Sequence, residues 1–422
     1  MQTSSKLHLP SLFYLIFSGS GLLFTLPVGV IVLISSLMGI ALGETRDYLY
    51  PGFVFSWTLI GISLLLVPGI VYAILRLLNK PFPAKTLSNW KFLPLIFLGL
   101  WLPLLVLGGV LSGKVNWDWL LLPVLTVLLI ALPIWIWIKL GNKEIQPEDR
   151  QATWSLFGVN MLITPAFIMA AEIIALMTIA IIGVMILIIS PELLEKFQKI
   201  VQQLSFSSMD PVLIMRVVKP LMQNPWVIFS ILATMSVIIP IIEEALKPIW
   251  MWAFVKKIDP AQGFLYGMFC GAGFSLIESI GYMATPTGDA WAGLLIGRAG
   301  TGLLHVVTSG LVGWGLASAW HDKKYLRLGT AYFLAVFIHG LWNAIGLLMG
   351  FIELIEPINQ LNLILTRIGE IAPFALFALS CCMVMLLVIA RKGGKAKSEP
   401  ALPAAEMRID LDNPDSSENR VE

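Results

Sequence analysis

The chain is short of charge, of histidine and of cysteine, and each shortage excludes something. Charged residues make up 13% of its 422 residues, against about 25% in a soluble domain. The net charge is only +2, too little for the basic footprint of a nucleic-acid binder, so no nucleic-acid partner is expected. Cys270, Cys381 and Cys382 all lie in apolar stretches, and their spacing fits neither a disulfide framework nor a zinc knuckle. Four histidines are present, with no H-E-x-x-H, which excludes a standard zincin. The later apolar segments also lack a G-x-S-x-G elbow or a Ser–His–Asp arrangement.

Apolar surface is what the chain has in excess: 57% hydrophobic residues and a mean hydropathy of +0.84. The run 12–42 is too long for a signal-peptide core and has no small-residue cleavage site, so it reads as a retained span. A crossing helix needs about 20 apolar residues. On that measure the expected spans are 12–42, 52–78, 92–112, 119–140, 154–189, 226–255, 261–284, 292–318, 328–352 and 370–390, the fifth broken near Pro165. The predicted fold is therefore all-α, a polytopic membrane protein of about ten transmembrane helices. Residues 191–224 are part amphipathic and suit the membrane interface. From residue 392 the chain has too few apolar residues to form a core and is expected to be a disordered tail. Sixteen Lys and Arg residues, among them Arg76, Lys85, Lys91, Lys256, Lys323 and Arg391, fall on one side of this arrangement, and seven, among them Arg46, Lys114 and Arg367, on the other. Positive residues favour the inside, which puts both termini in the cytoplasm.

The ionisable residues inside spans are unevenly distributed. The first four spans have none near their centres. The later ones hold Glu243, Glu244 and Lys247, then Glu278, then Arg298 and His305, then His339 and Asn343. This divides the chain chemically at about residue 224. Residues 1–150 are apolar helices without an assigned role, 151–224 a long span plus the interfacial segment, 225–391 a functional core, and 392–422 the tail. A charge at the bilayer centre costs roughly 2.5–3.5 kcal/mol, so an intramembrane set of this kind marks function by default. Taken singly, several have bland explanations: a Glu–Lys pair that fixes helix register, an interhelical His or Asn, an Arg298 that snorkels to the surface, an isolated structural Glu172. Spacing argues for convergence. Glu243 and Lys247 share a face at i, i+4. Gly263, Gly267 and Gly271 make a small-residue packing stripe that also carries Glu278.

Two chemistries fit these residues. His305, His339 and a glutamate can ligate zinc while a second glutamate acts as base toward its water. Alternatively a glutamate activates water directly, with His305 assisting and His339 and Asn343 on the oxyanion. On the latter reading Glu243 is the base and Glu244 supports it. The candidate metal ligands are Glu244, Glu278, His305 and His339, with Lys247 and Arg298 in support.

The motifs "EEALK" (Glu243 to Lys247), "GAGFSLIES" (Gly271 to Ser279), "R…H" (Arg298, His305) and "HGLWN" (His339 to Asn343), in that order, resemble the PrsW family of intramembrane proteases. That family is itself similar to the type II CAAX prenyl endopeptidases. The resemblance covers about residues 225–350 and implies a helical peptidase that cuts membrane-associated proteins or peptides in or at a lipid membrane. It also implies a bacterial inner (plasma) membrane location and site residues Glu243, Glu244, Glu278, His305, His339 and Asn343. Ser279 stands where the family usually has Asn. Two other functions remain: a non-proteolytic scaffold or immunity-type family member, and a proton-coupled transporter. The absence of an inverted repeat weighs against the transporter.

Overall fold

The computed structural model describes residues 8–82, 93–112, 114, 117–205, 211–283, 290–352 and 354–398. Among the described residues every regular element is helical. Nine helices are long and apolar enough to cross a membrane, and a shorter apolar one covers Leu95–Leu111. This is an integral, multi-pass membrane protein.

The first four expected spans are α1 (Leu9–Ala41), α2 (Arg46–Leu77), α3 (Leu93–Leu111) and α4 (Asp118–Gly141). The fifth is two helices, α5 (Arg150–Leu162) and α6 (Thr164–Ile189), which part at Ile163. Pro165 accounts for the break, because it disfavours a helical residue before it and donates no backbone hydrogen bond. The interfacial segment folds as α7 (Pro191–Ser205) and α8 (Pro211–Leu221). The sixth span is composite: α9 (Pro225–Ala233), a π-helical turn over Thr234–Ile238, α10 (Ile239–Leu246), then two 3-10 turns. It is followed by α11 (Pro260–Tyr282), α12 (Ala290–His321), α13 (Tyr325–Gly350) and α14 (Gln360–Ser398). The last helix thus continues into the segment expected to be disordered. The remainder of that tail, 399–422, lies outside the described residues, as do Lys85 and Lys91.

Local chemistry fixes the helix starts. Asp149 accepts hydrogen bonds from the backbone N–H groups of Gln151 and Ala152 and so caps α5, and Asp259 does the same for α11 through Gln262 N, with Pro260 in the first turn. Proline suits that position because its missing N–H would have had no helical partner there. Asp149 also holds Arg76 of α2 in a bidentate pair at 2.6 and 3.0 Å, tying two spans at one end of the bundle. At that same end His8 and Gln151 share Ser11, and the Arg391 guanidinium donates to Leu140 O. The start of α1 and the end of the apolar part of α14 therefore lie together.

α11 is the central helix, buried almost throughout from Pro260 to Ile280. The largest apolar cluster among the described residues runs around it, from Tyr50 of α2 through Leu122 and Leu129 of α4, Phe157 of α5 and Leu303 of α12 to Leu387 of α14. The apolar core therefore does not stop at residue 224: α4 and α5 pack directly on the helices that carry the ionisable residues. In contrast α1 and α6 leave long apolar side chains exposed, such as Phe24, Ile31, Ile174 and Met185, as lipid-facing helices do.

The glycine stripe positions α12. A Cβ at Gly271 would lie inside the carbonyl oxygen of His305 and 2.6 Å from its carbonyl carbon, and one at Gly267 would meet Ser309 in the same way. Only glycine lets the two backbones touch there, so His305 is pressed against α11.

Candidate active site

The double glutamate sits on a helix whose backbone is irregular for a definable reason. In the π turn the N–H of Ile239 bonds Thr234 O, five residues back. The next donor in that pattern would be Pro240, which has no N–H. The carbonyl of Met235 therefore loses its partner, and the Asn343 side chain supplies one, its Nδ2 donating to Met235 O at 2.9 Å. Gly340 lies so close to the turn that an added Cβ would overlap the Ser236 carbonyl. The π turn thus docks α13 onto α10 and brings His339 beside the glutamates. Orphaned backbone groups at membrane depth need such partners.

Glu244 and Lys247 are completely buried, and Glu243 is 5% exposed. Lys247 Nζ lies 2.7 Å from Glu244 Oε1, 2.9 Å from Glu243 Oε2 and 2.7 Å from His305 Nδ1. An ammonium has three protons and no acceptor, so His305 Nδ1 must receive, and its proton sits on Nε2. That Nε2 meets Glu278 Oε2 at 2.7 Å, and the same oxygen accepts from Arg298 Nη2 at 2.7 Å. Arg298 Nε also donates to Ser279 Oγ at 3.0 Å. On the other side His339 Nδ1 is 2.8 Å from Glu244 Oε1, and Thr308 Oγ1 donates to that oxygen at 3.1 Å. His339 Nε2 is left facing Glu243 Oε2 at 4.0 Å. The two imidazoles stand edge to face, 5.1 Å between centroids, and Phe274 packs edge to face on His305.

Glu243, Glu244, His305 and His339 each offer one ligand atom, and these atoms lie within 4.8 Å of one another. Glu278 is outside that group. It stands behind His305 and orients the ring, while Glu243 takes the fourth place. Arg298, expected to snorkel outward, turns inward onto Glu278 and stacks over Tyr282, 4.7 Å from its ring centre. Asn343 spends its described hydrogen bond on the π turn. Glu172, for which sequence spacing gave no partner, is half-buried on α6 and within Coulombic range of Glu243, Glu278 and Lys247. Thr308 carried no signal in the sequence: a threonine on an apolar helix is ordinary, and only the fold brings it to Glu244. Ser279 occupies the position at which the family resemblance departs, and here it holds Arg298.

Residues 172–368 match the model of the PrsW family of intramembrane metalloproteases. Over this segment, less than half of the chain, the protein is similar to the PrsW family. Neither a curated protein nor a solved structure matches the chain. The matched segment begins on α6, at Glu172, and ends on α14, taking in every residue of the buried cluster.

The side chains of the matched segment fit the metal that the family's description implies. Two carboxylates and two imidazoles form an N/O donor set suited to zinc. Glu244 Oε2 is buried with no hydrogen-bond partner, while Glu243 Oε2 pairs with Lys247 at 2.9 Å. An orphaned anionic oxygen such as Glu244 Oε2 is costly to bury unless a cation or donor reaches it.

Proposed function

We propose that the protein is an intramembrane endopeptidase that hydrolyses peptide bonds of membrane-associated proteins or peptides. The observation that carries this reading is the meeting of Glu243, Glu244, His305 and His339, drawn from three separate spans, in one buried cluster. Register or helix adhesion would need only isolated pairs, and a scaffold needs no such cluster.

In this reading Glu244, His305 and His339 hold the metal and Glu243 is the base. Glu244 is the most restrained of the set, its Oε1 fixed by Lys247, His339 and Thr308. His305 is oriented through Nε2–H by Glu278, which Arg298 fixes in turn; this is the carboxylate–histidine support that sets a ligand's tautomer. His339, its Nδ1–H given to Glu244, presents Nε2. Zinc held there would supply Lewis acidity toward a peptide carbonyl and toward water. Glu243, the less restrained carboxylate, accepts the water proton and passes it to the leaving amine. Asn343 serves the backbone that presents the two glutamates, in place of the oxyanion role expected from the sequence. The test is cleavage of a transmembrane peptide by the purified protein in detergent or liposomes, against Glu243→Gln and Glu244→Gln. Cleavage by the unmodified chain that both variants lose supports the reading; no cleavage of any transmembrane substrate, or full cleavage by both variants, overturns it.

The excess of Lys and Arg at the end that carries Arg76, Lys256, Lys323 and Arg391 supports a cytoplasmic location for that end. The family supports a bacterial inner membrane.

A further inference from the structure

Lys247 neither binds metal nor moves a proton in the chemistry just described, yet it is as completely buried as Glu244. Its Nζ makes three close contacts: Glu244 Oε1 at 2.7 Å, His305 Nδ1 at 2.7 Å and Glu243 Oε2 at 2.9 Å. Two of those atoms belong to residues assigned above as metal ligands, and the third to the base. The fourth side is closed by the Phe274 ring, whose centre is 4.8 Å away.

A metal ion bonds oxygen and nitrogen at about 2.0–2.2 Å. An ion that reached Glu244 Oε1 and the His305 Nδ1 lone pair at those distances would overlap an ammonium already 2.7 Å from both. The two cations therefore exclude one another. The His305 lone pair points to the same conclusion: with Nε2–H committed to Glu278, Nδ1 has one acceptor site, and Lys247 fills it.

We propose that Lys247 is a built-in cation that occupies the metal position when the site holds no metal, and that metal binding requires its ammonium to swing out. The proposal rests on the metal reading above. The stem allows the motion, since four methylenes give the ammonium several rotatable bonds. Glu243 lies one turn away on the same face and can keep its ion pair with the ammonium after it leaves Glu244 and His305. The arrangement accounts for two adjacent buried carboxylates in a metal-free state, because the ammonium neutralises what would otherwise be an uncompensated charge pair. It also makes metal occupancy conditional, as apparent affinity falls by the fraction of time the position is free.

The test is cobalt(II) titration of detergent-purified, metal-stripped protein, followed by the visible absorption of the bound ion, for the unmodified chain, Lys247→Met and Lys247→Gln. Removing the ammonium is expected to tighten cobalt binding by about tenfold or more. Equal or weaker binding in folded variants overturns the proposal while leaving the metal reading intact. No cobalt binding by any of the three overturns the metal reading and the proposal with it. Because a neutral residue beside two buried glutamates could impair folding, a second measurement uses the unmodified chain alone: a structure of its cobalt-loaded form. Lys247 Nζ is expected to have left Glu244 Oε1 and His305 Nδ1; its presence there beside bound cobalt would overturn the proposal.

Discussion

Gly271→Ala tests whether the α11–α12 contact sets the site. The added methyl would stand 2.6 Å from the His305 carbonyl carbon and 2.9 Å from Ser309 Cβ, where ordinary contact begins at 3.4 Å. Both obstacles are on α12, and one is backbone, so no rotamer change relieves the clash. The helices must separate on the order of 1 Å, an overpacking cost of roughly 1–3 kcal/mol. His305 moves with α12, whereas Glu278 stays on α11, so their 2.7 Å contact opens. Misplacement of a catalytic group by about 1 Å can cost 10²-fold in rate, and a loss of that size is the expected outcome. Gly281→Ala is the control: it is on the same helix and has nothing within 4 Å of the added carbon. Cleavage of a transmembrane peptide would be measured for both, alongside thermal unfolding to show that each variant is folded. If folded Gly271→Ala cleaves as fast as Gly281→Ala, the backbone contact does not position the site.

Glu243→Gln is expected to abolish turnover, because an amide cannot take a proton from water; undiminished cleavage would remove Glu243 as base. Asn343→Ala deprives Met235 O of its donor, an interhelical hydrogen bond worth about 0.6–1.7 kcal/mol in a membrane. It should lower the unfolding temperature and leave measurable activity, and complete loss of activity without loss of stability would return Asn343 to the chemistry. A strong chelator is expected to stop cleavage and added zinc to restore it; cleavage that persists in chelator would favour glutamate acting without metal. Reporter fusions at Lys114 and after Arg391 are expected to report opposite sides of the membrane, and a shared side would show the span count to be wrong.

The spans were readable because a long apolar run has one stable form in lipid, a helix. The break in the fifth span was readable from Pro165, and the α11 packing face from Gly263, Gly267 and Gly271. The ionisable set was readable because charge in an apolar run is costly enough to need a reason. Assignments within the set were less accessible, since they depend on which helix lies beside which. Glu278, a candidate metal ligand by sequence, stands behind His305 while the base candidate Glu243 joins the cluster, and Arg298 turns inward, because α11 and α12 are held closer than sequence spacing can state. Asn343 was drawn to the π turn by a carbonyl that Pro240 left unpartnered, a debt visible only once the turn is seen. Thr308 and Glu172 carried no pattern of their own and gained their places from the fold alone.

The short link between α12 and α13 has a consequence for where a substrate would be cut. α12 ends and α13 begins at the basic end, at His321 and Tyr325. His305 lies sixteen residues from the one and His339 fourteen from the other, which at 1.5 Å per residue puts both imidazoles roughly 21–24 Å from that end. α12 and α13 run on about as far beyond the two histidines, to Ala290 and Gly350, so the cluster stands near mid-length of both helices, deep in the roughly 30 Å hydrocarbon layer they would cross. On the proposed reading, a helix threaded beside it would be severed near mid-length, into two remnants of similar apolar length. Each remnant would carry about half of the roughly 20 apolar residues a crossing needs, so neither product of such a cut would still span the bilayer.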